Sequence, residues 1–146
     1  MRVMLAVHLH EGAEELVAEA ARWAERLSAI LDLVFVDEFK SNLYLVNEEG
    51  VRSVLDEHWE RVNDDAKARL DRLAASVPEA VRGEARFLSG HAAETVVEAG
   101  KSYDAILIGT HGRKGVAHLL LGSVAERVVR TSSVPVIVLP MKQAAS

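Results

Sequence analysis

Asp104-Ala-Ile-Leu-Ile-Gly-Thr-His-Gly112, followed after nine residues by Gly122-Ser123, is the most informative segment of this chain. Its apolar start is typical of a buried strand, and the residues from Val124 to Arg130 are typical of a helix. Glycines between a strand and a helix let the backbone approach an anion, which the N–H groups of the first helical turn can bind. The spacing G-x2-G-x9-G-S differs from both the dinucleotide-binding fingerprint and the P-loop. The segment therefore predicts a phosphate-binding loop of another type.

Apolar runs and helical patterns alternate along the rest of the chain. The other predicted strands cover residues 3–7, 31–36, 85–88 and 134–139, and segments with helical spacing separate them. Strands that alternate with helices imply right-handed crossovers and a parallel sheet, and continuous apolar strands fit a sheet covered on both faces. We therefore predict an α/β fold: a single doubly wound, five-stranded parallel sheet in the order 3-2-1-4-5, with helices on both faces. The polar region 39–51 fits a loop, a short hairpin or a mobile cover over the site.

The predicted strand order also predicts where a ligand binds. The chain reverses direction between strands 1 and 4, and ligands of doubly wound sheets bind in the crevice at that point. Strand 1 is expected to end at Val7 and strand 4 at Ile108, which brings the glycine segment beside His8. Topology and motif therefore indicate the same edge of the sheet.

The start of the last helix carries the predicted phosphate site. Ser123 and Glu126 form the S-x-x-E pattern of a capping box, in which Ser123 caps the helix and Glu126 reaches back to its N–H group. The N–H groups of Gly122, Ser123 and Val124 are also expected to bind phosphate, helped by the helix dipole. The Ser123 hydroxyl can serve either role.

The residues after the fourth strand are expected to complete the site. Gly109 and Gly112 would bring the turn against a sugar and its phosphates. Arg113 and Lys114 fit two interpretations equally, which are contacts to the outer phosphates and a solvated charge pair.

Composition excludes several classes of function. The 146 residues suit one domain, 1–146, in which the tail 142–146 is expected to be flexible. The formal net charge of -5 gives no support to binding of nucleic acid or of an anionic membrane. The absence of cysteine excludes disulfides, thiol catalysis and thiolate metal sites. Without a signal peptide or an apolar run long enough to cross a bilayer, the expected compartment is cytoplasmic.

Histidines near the predicted crevice raise the question of a metal site. His8, His10 and Glu11 lie after strand 1, and His111 lies after strand 4. Their spacing matches no helix-face metal motif, so we predict no protein-held metal. No nucleophile motif or paired carboxylate site is visible, so no catalytic residue is assigned and no enzyme is expected; His111 is the only candidate for a general base near the predicted site.

The spacing G-x2-G-x9-G-S and the order of strands and helices resemble the nucleotide-binding type of the universal stress protein family over nearly the whole chain. The resemblance implies that ATP, or AMP or ADP, binds in the crevice, with Mg²⁺ or Mn²⁺ on the phosphates. It also implies that the backbone at Val36 recognises adenine, because Val34-Phe-Val36-Asp37 matches the family's pattern. Relatives that bind ATP usually have an aspartate after strand 1, where this chain has His8. A ribose contact by His8 would be weaker and is expected to depend on pH near neutrality.

The function that this resemblance implies is that of an ATP-binding stress-response or regulatory module. The apolar segment 134–139 is predicted to form an edge strand through which two copies pair as a homodimer. Two alternatives remain: a nucleotide-free interaction protein of the same fold, and a slow ATP hydrolase or nucleotidyl-transfer enzyme.

Overall fold

A computed structural model describes residues 1–38, 61–110 and 121–141 in full, together with the helical backbone of residues 49–60. Its five parallel strands are β1 (Arg2–Ala6), β2 (Ile30–Asp37), β3 (Arg82–Ser89), β4 (Ala105–Gly109) and β5 (Val136–Leu139). The helices are α1 (Ala13–Leu27), α2 (Glu49–Ala75), α3 (Ala92–Gly100) and α4 (Ser123–Thr131), and a short 3₁₀ helix covers Glu79–Val81. The strands lie in the order β3-β2-β1-β4-β5, which confirms the predicted fold class and topology.

Helices cover both faces of the sheet, and each face has its own apolar core. On β1, Val3 and Leu5 pack into the cluster formed with α1 and α2, whereas Met4 packs into the cluster formed with α3 and α4. Neighbouring residues of a strand point to opposite faces, so a strand between two cores needs apolar residues at nearly every position. This is the physical reason for the continuous apolar runs in the sequence.

Helix α1 packs against the sheet through a stripe of small and branched apolar residues. Leu16, Ala20 and Ala24, spaced four residues apart, are buried against the sheet. The helix begins after Gly12, whose φ of 91° is left-handed and favours glycine. It ends at Leu27, and the C-cap residue Ser28 also has a left-handed conformation, with a φ of 53°.

The strand boundaries differ most from the predicted ones at the starts of β3 and β5, and the other ends differ by at most one residue. β3 begins at Arg82 rather than at residue 85. Its first residues alternate between exposed and half-buried positions, so the sequence has no apolar run there that would predict a strand. β5 begins at Val136 rather than at residue 134, because the Ser132 hydroxyl and Val134 form a turn through hydrogen bonds of 2.7 and 3.1 Å. Of the region 39–51, residues 39–48 lie outside the described residues, and α2 begins at Glu49. The tail 142–146 also lies outside them.

A buried carboxylate ties several strands together at the amino ends of the sheet. Asp32 of β2, which is 2% exposed, accepts hydrogen bonds from Tyr103 Oη (2.6 Å), Arg2 Nη2 (2.6 Å) and the Glu84 N–H group (2.8 Å). Burial raises the pKa of Asp32, but the bonds from Tyr103, Arg2 and Glu84 outweigh it and hold the pKa below its usual range. The carboxylate therefore stays charged and joins β1, β2, β3 and the residue two positions before β4.

The central position of β1 brings the predicted site together. β1 pairs with β2 on one side and with β4 on the other, and Ala6 lies opposite both Val34 and Ile108. The carboxyl ends of these three strands therefore lie at one edge of the sheet. Among the helices that the structure describes, none is long and apolar enough to cross a membrane.

Candidate functional site

A cleft of about 480 Å³ opens at the carboxyl edge of the sheet, where the N-termini of α3 and α4 meet. Its walls come from the residue after β2 and from the first turns of the two helices. The lining residues are Glu38, His91, Ala92, Ala93, Glu94, Ser123, Val124 and Arg127. Ser123 and Val124, predicted from the sequence as phosphate-binding residues, thus lie together on one wall.

The predicted capping box is wrong, and the difference leaves α4 better suited to bind an anion. The helix begins at Ser123, so the N-cap residue is Gly122, which has an extended backbone (φ −71°, ψ 166°) and no side chain to cap with. The carboxylate of Glu126 pairs instead with Arg130 at 3.3 Å. The first-turn N–H groups of α4 therefore lack the serine cap that the sequence indicated, and a bound anion can accept from them.

Thr110 fixes Gly122 in place, a contact that the motif analysis missed. The Gly122 N–H group donates to the Thr110 carbonyl at 2.6 Å, and a Cβ atom on Gly122 would lie 3.2 Å from the same oxygen. Thr110 also donates its N–H to Leu139 O (3.1 Å) and accepts from the Met141 N–H group at Oγ1 (3.0 Å). Thr110 thereby holds the N-cap of α4 against the end of β5. The only sequence signal for this role was a hydroxyl residue inside the glycine motif.

Gly109 faces the core rather than the cleft. A Cβ atom at this position would lie 3.0 Å from Leu16 Cδ1 and 3.3 Å from Met141 Cγ. The missing side chain therefore makes room for α1 against the sheet. Contact of the Gly109 backbone with a sugar or phosphate stays a prediction.

Charged side chains line the cleft around the two helix ends. Glu38 Oε1 accepts the N–H group of Ala92 at 2.7 Å and so caps the N-terminus of α3. Arg127 Nη2 donates to Glu94 Oε1 at 2.7 Å, which joins α4 to α3. Neither contact follows from a local motif, because the partners are 54 and 33 residues apart in sequence.

His8 lies at the carboxyl edge of the sheet on the side of α1 and α2, close to Glu14 and Arg69. Its ring stacks on His10 with centroids 3.9 Å apart, and its buried Nδ1 has no hydrogen-bond partner in the described part of the chain. Burial lowers the pKa of His8 to about 4, the charges of His10 and Arg69 add to this effect, and Glu14 opposes it. The expected titration of His8 near neutrality is therefore wrong, because the imidazole stays neutral there. His8 is also not among the described residues that line the cleft, so its ribose contact stays a prediction.

The remaining predicted residues divide into two groups. Val36 of β2 packs half-buried against the core under α3 and α4, two residues before Glu38 of the cleft. His111, Gly112, Arg113 and Lys114 lie outside the described residues. Within the residues that the structure does describe, no group of three or more histidine or carboxylate side chains could hold a metal ion.

Comparison of the sequence with known proteins identifies relatives. The family model described as the universal stress protein family matches residues 1–140. The universal stress protein MJ0531 of Methanocaldococcus jannaschii is 33% identical over 92 residues, which cover 62% of this chain and 53% of that protein. The match thus spans about half the length of this curated relative.

Solved structures have the same fold at low identity. The protein MJ0577 matches with a TM-score of 0.79 and 20% identity, over 98% of this chain and 97% of the other. A universal stress protein solved in complex with cAMP matches with a TM-score of 0.67 at 19% identity, over 96% of both chains. The universal stress protein of Archaeoglobus fulgidus solved in complex with dAMP matches with a TM-score of 0.63 at 19% identity, over 94% of this chain and 96% of the other. With the family model matching almost the full length and these structures sharing the fold, the chain belongs to the universal stress protein family.

Proposed function

We propose that this protein binds an adenine nucleotide, with ATP as the predicted ligand, in the cleft between α3 and α4. The observation that carries the proposal is the start of α4: Ser123 and Val124 of its first turn line a cleft of about 480 Å³, and the helix has no side-chain cap. A helix N-terminus in this state favours a phosphate group through its N–H groups and its dipole. Two relatives with the same fold were solved with cAMP and with dAMP, which supports the adenine nucleotide class.

The cleft suggests how the nucleotide is oriented. The phosphates would lie at Ser123 and Val124, and the adenine would lie toward the end of β2, where Val36 is the predicted recognition residue. Glu38 gives the cleft a carboxylate, which can accept a hydrogen bond from a sugar hydroxyl. The protein would act as a regulatory module whose state or partners depend on nucleotide occupancy.

Titration calorimetry on the purified protein tests this proposal directly. We expect ATP to bind with micromolar affinity or weaker. AMP and ADP serve as comparison ligands, and each titration is made with and without Mg²⁺ or Mn²⁺. Denaturing the protein as purified and identifying released nucleotide by mass spectrometry shows which ligand it carries from the cell. No heat with any adenine nucleotide, and no released nucleotide, would favour the nucleotide-free interaction protein.

A separate assay tests for catalysis. Incubation with ATP and measurement of released phosphate distinguishes a binding module from a slow ATP hydrolase or nucleotidyl-transfer enzyme. We propose binding without turnover, because the observation that supports the site is a helix N-terminus without a side-chain cap and not a positioned base.

We also propose that two copies pair through β5 as a homodimer in the cytoplasm. β5 lies at the end of the described sheet and pairs there with β4, and its residues 136–138 are half-buried. An apolar edge strand with unpaired backbone groups favours pairing with a second copy across a two-fold axis.

A further inference from the structure

One cation lines the described part of the cleft, and it is already held by a carboxylate. Arg127 of α4 is bonded to Glu94 of α3 at 2.7 Å, and the two side chains are 54% and 53% exposed. Glu38 is the other lining carboxylate, and it caps α3 through the Ala92 N–H group. The lining therefore has two carboxylates for one guanidinium before any nucleotide enters.

The position of Arg127 places it beside the predicted phosphate site. Arg127 follows Ser123 by four residues, so the two side chains lie on the same face of α4, one turn apart. Both residues line the cleft, whereas Ala125 and Val128 of the same helix are buried in the core. A phosphate at the first turn of α4 would thus lie within one helical turn of the guanidinium.

The chemistry favours exchange of the partner. An exposed ion pair such as Arg127–Glu94 is weak, because water solvates both charges. A phosphate group offers the guanidinium a bidentate, charge-assisted contact, and a nucleotide brings more negative charge than one carboxylate does. Glu94 is therefore a partner that a nucleotide can replace.

We propose that Arg127 is a phosphate-binding residue of the cleft, and that Glu94 holds its guanidinium until a nucleotide phosphate replaces the carboxylate. The inference rests on the proposed nucleotide-binding function and adds to it a residue that makes affinity depend on phosphate charge. Exchange of the partner also breaks the ion pair between α3 and α4 but leaves their apolar packing in place, so occupancy of the cleft removes one polar link between these two helices.

Calorimetric titration of Arg127→Gln with ATP and with adenosine tests the phosphate contact. We expect ATP affinity to fall about tenfold and adenosine affinity to stay unchanged, because only ATP has the charges that Arg127 binds. Arg130→Gln is the matched control, since Arg130 pairs with Glu126 on the same helix and is not among the described lining residues. It should change neither affinity. Arg127→Lys keeps the charge and should lose less ATP affinity than Arg127→Gln, which tests the contact a second time if the glutamine variant folds poorly.

Glu94→Gln tests the holding role. It releases Arg127 and should tighten ATP binding about twofold to fivefold, because the nucleotide no longer competes with the ion pair. The double variant Glu94→Gln/Arg127→Gln should bind ATP as Arg127→Gln does, since Glu94 acts through Arg127. A double variant that binds ATP more tightly than Arg127→Gln would show that Glu94 merely repels phosphate, and would overturn its role as holder.

The outcomes separate this inference from the proposed function. If the unmodified protein binds ATP but Arg127→Gln loses no ATP affinity, or loses ATP and adenosine affinity equally, the phosphate role of Arg127 is overturned and the proposed function stands. If the unmodified protein binds no ATP, AMP or adenosine, the proposed function fails, and this inference fails with it.

Discussion

The two glycines that the structure describes within the motif have different physical roles. Gly122 is the N-cap of α4, and a Cβ atom there would lie 3.2 Å from a backbone oxygen at the mouth of the predicted phosphate site. Gly109 faces Leu16, a core residue that is 1% exposed. Their φ angles are not left-handed, so space rather than backbone strain explains both glycines. The same residue type in one motif thus leaves room for a backbone oxygen at one position and for core side chains at the other.

Valine substitutions should separate these two roles. Gly122→Val is expected to abolish nucleotide binding and to cost less stability than Gly109→Val, because its Cβ atom would crowd one backbone oxygen at the start of α4 rather than core side chains. Gly109→Val is expected to lower the free energy of unfolding by about 1–3 kcal/mol, because the side chain overpacks the core against Leu16. Titration calorimetry and urea unfolding of both variants provide the comparison. If Gly122→Val still binds ATP, the glycine is only structural.

His8 should make the protein less stable in mild acid. The folded pKa of about 4 lies below the ordinary value of 6.5, so between these values the unfolded state binds more protons than the folded state. The free energy of unfolding therefore rises with pH over this window and is constant, as far as His8 is concerned, above it. With its partial exposure, we expect His8 to contribute about 1–2 kcal/mol.

The measurement is urea unfolding at pH 4, 5, 6 and 7 for the unmodified protein and for His8→Asn. The difference between the two curves should grow from pH 4 to about 6.5 and then level off. Carboxylates that titrate in the same range contribute equally to both proteins and cancel in the difference. Parallel curves would show that His8 has the same pKa in the folded and unfolded states, which would contradict the lowered folded pKa.

At the scale of elements, the sheet is joined at its amino ends by a polar cluster and at its carboxyl edge by contacts around the cleft. Asp32 connects β1, β2 and β3 with Tyr103, whereas Thr110 connects β4, β5 and the start of α4. Gly83 of β3 lies directly against the Asp32 carboxylate, so a side chain at this position would displace it. The Asp32 hydrogen-bond network and the candidate site thus lie at opposite ends of the sheet.

Tyr103→Phe should weaken the amino-end cluster without affecting the cleft. The variant removes the 2.6 Å hydrogen bond from the phenol to the buried Asp32 carboxylate and should lower the free energy of unfolding by about 1–3 kcal/mol. Nucleotide affinity should be unchanged, because the two sites lie at opposite ends of the strands. Urea unfolding and calorimetry measure the two quantities. A loss of affinity at full stability would contradict this separation.

At the scale of the whole molecule, the sheet has two edges of different character. β5 is four residues long and apolar, whereas β3 is eight residues long and carries Arg82, Glu84 and Arg86. Charged residues on an edge strand oppose pairing with another chain. Of the two edges, β5 is therefore the one that we expect to pair in the proposed homodimer.

Val138→Lys should shift the protein from dimer to monomer. Val138 of β5 and Leu88 of β3 pack half-buried against the same apolar cluster from opposite edges of the sheet, so Leu88→Lys is a matched control. Both lysines disturb the core to a similar degree, but only the one on β5 should change the mass measured by analytical ultracentrifugation. A monomer for the unmodified protein at tens of micromolar, or dissociation of both variants alike, would contradict the β5 interface.

The sequence alone determined the fold class, the strand order and the edge of the sheet that carries the candidate site. These follow from apolar runs, helical spacing and right-handed crossovers, which are properties of short segments and of chain connectivity. Only the tertiary structure decided that Gly109 faces Leu16, that His8 stacks on His10 and is neutral at pH 7, and that Gly122 rather than Ser123 caps α4.

The sequence alone also could not predict the two polar contacts between the side chains and helix ends of the cleft. Glu38 meets Ala92, and Arg127 meets Glu94, only after the crossovers bring the ends of β2, α3 and α4 to one edge of the sheet. Each contact depends on side-chain direction and on residues far apart in the chain, and no local periodicity encodes either. The sequence thus indicated the edge of the sheet that carries the candidate site, whereas the tertiary contacts decided which side chains line it.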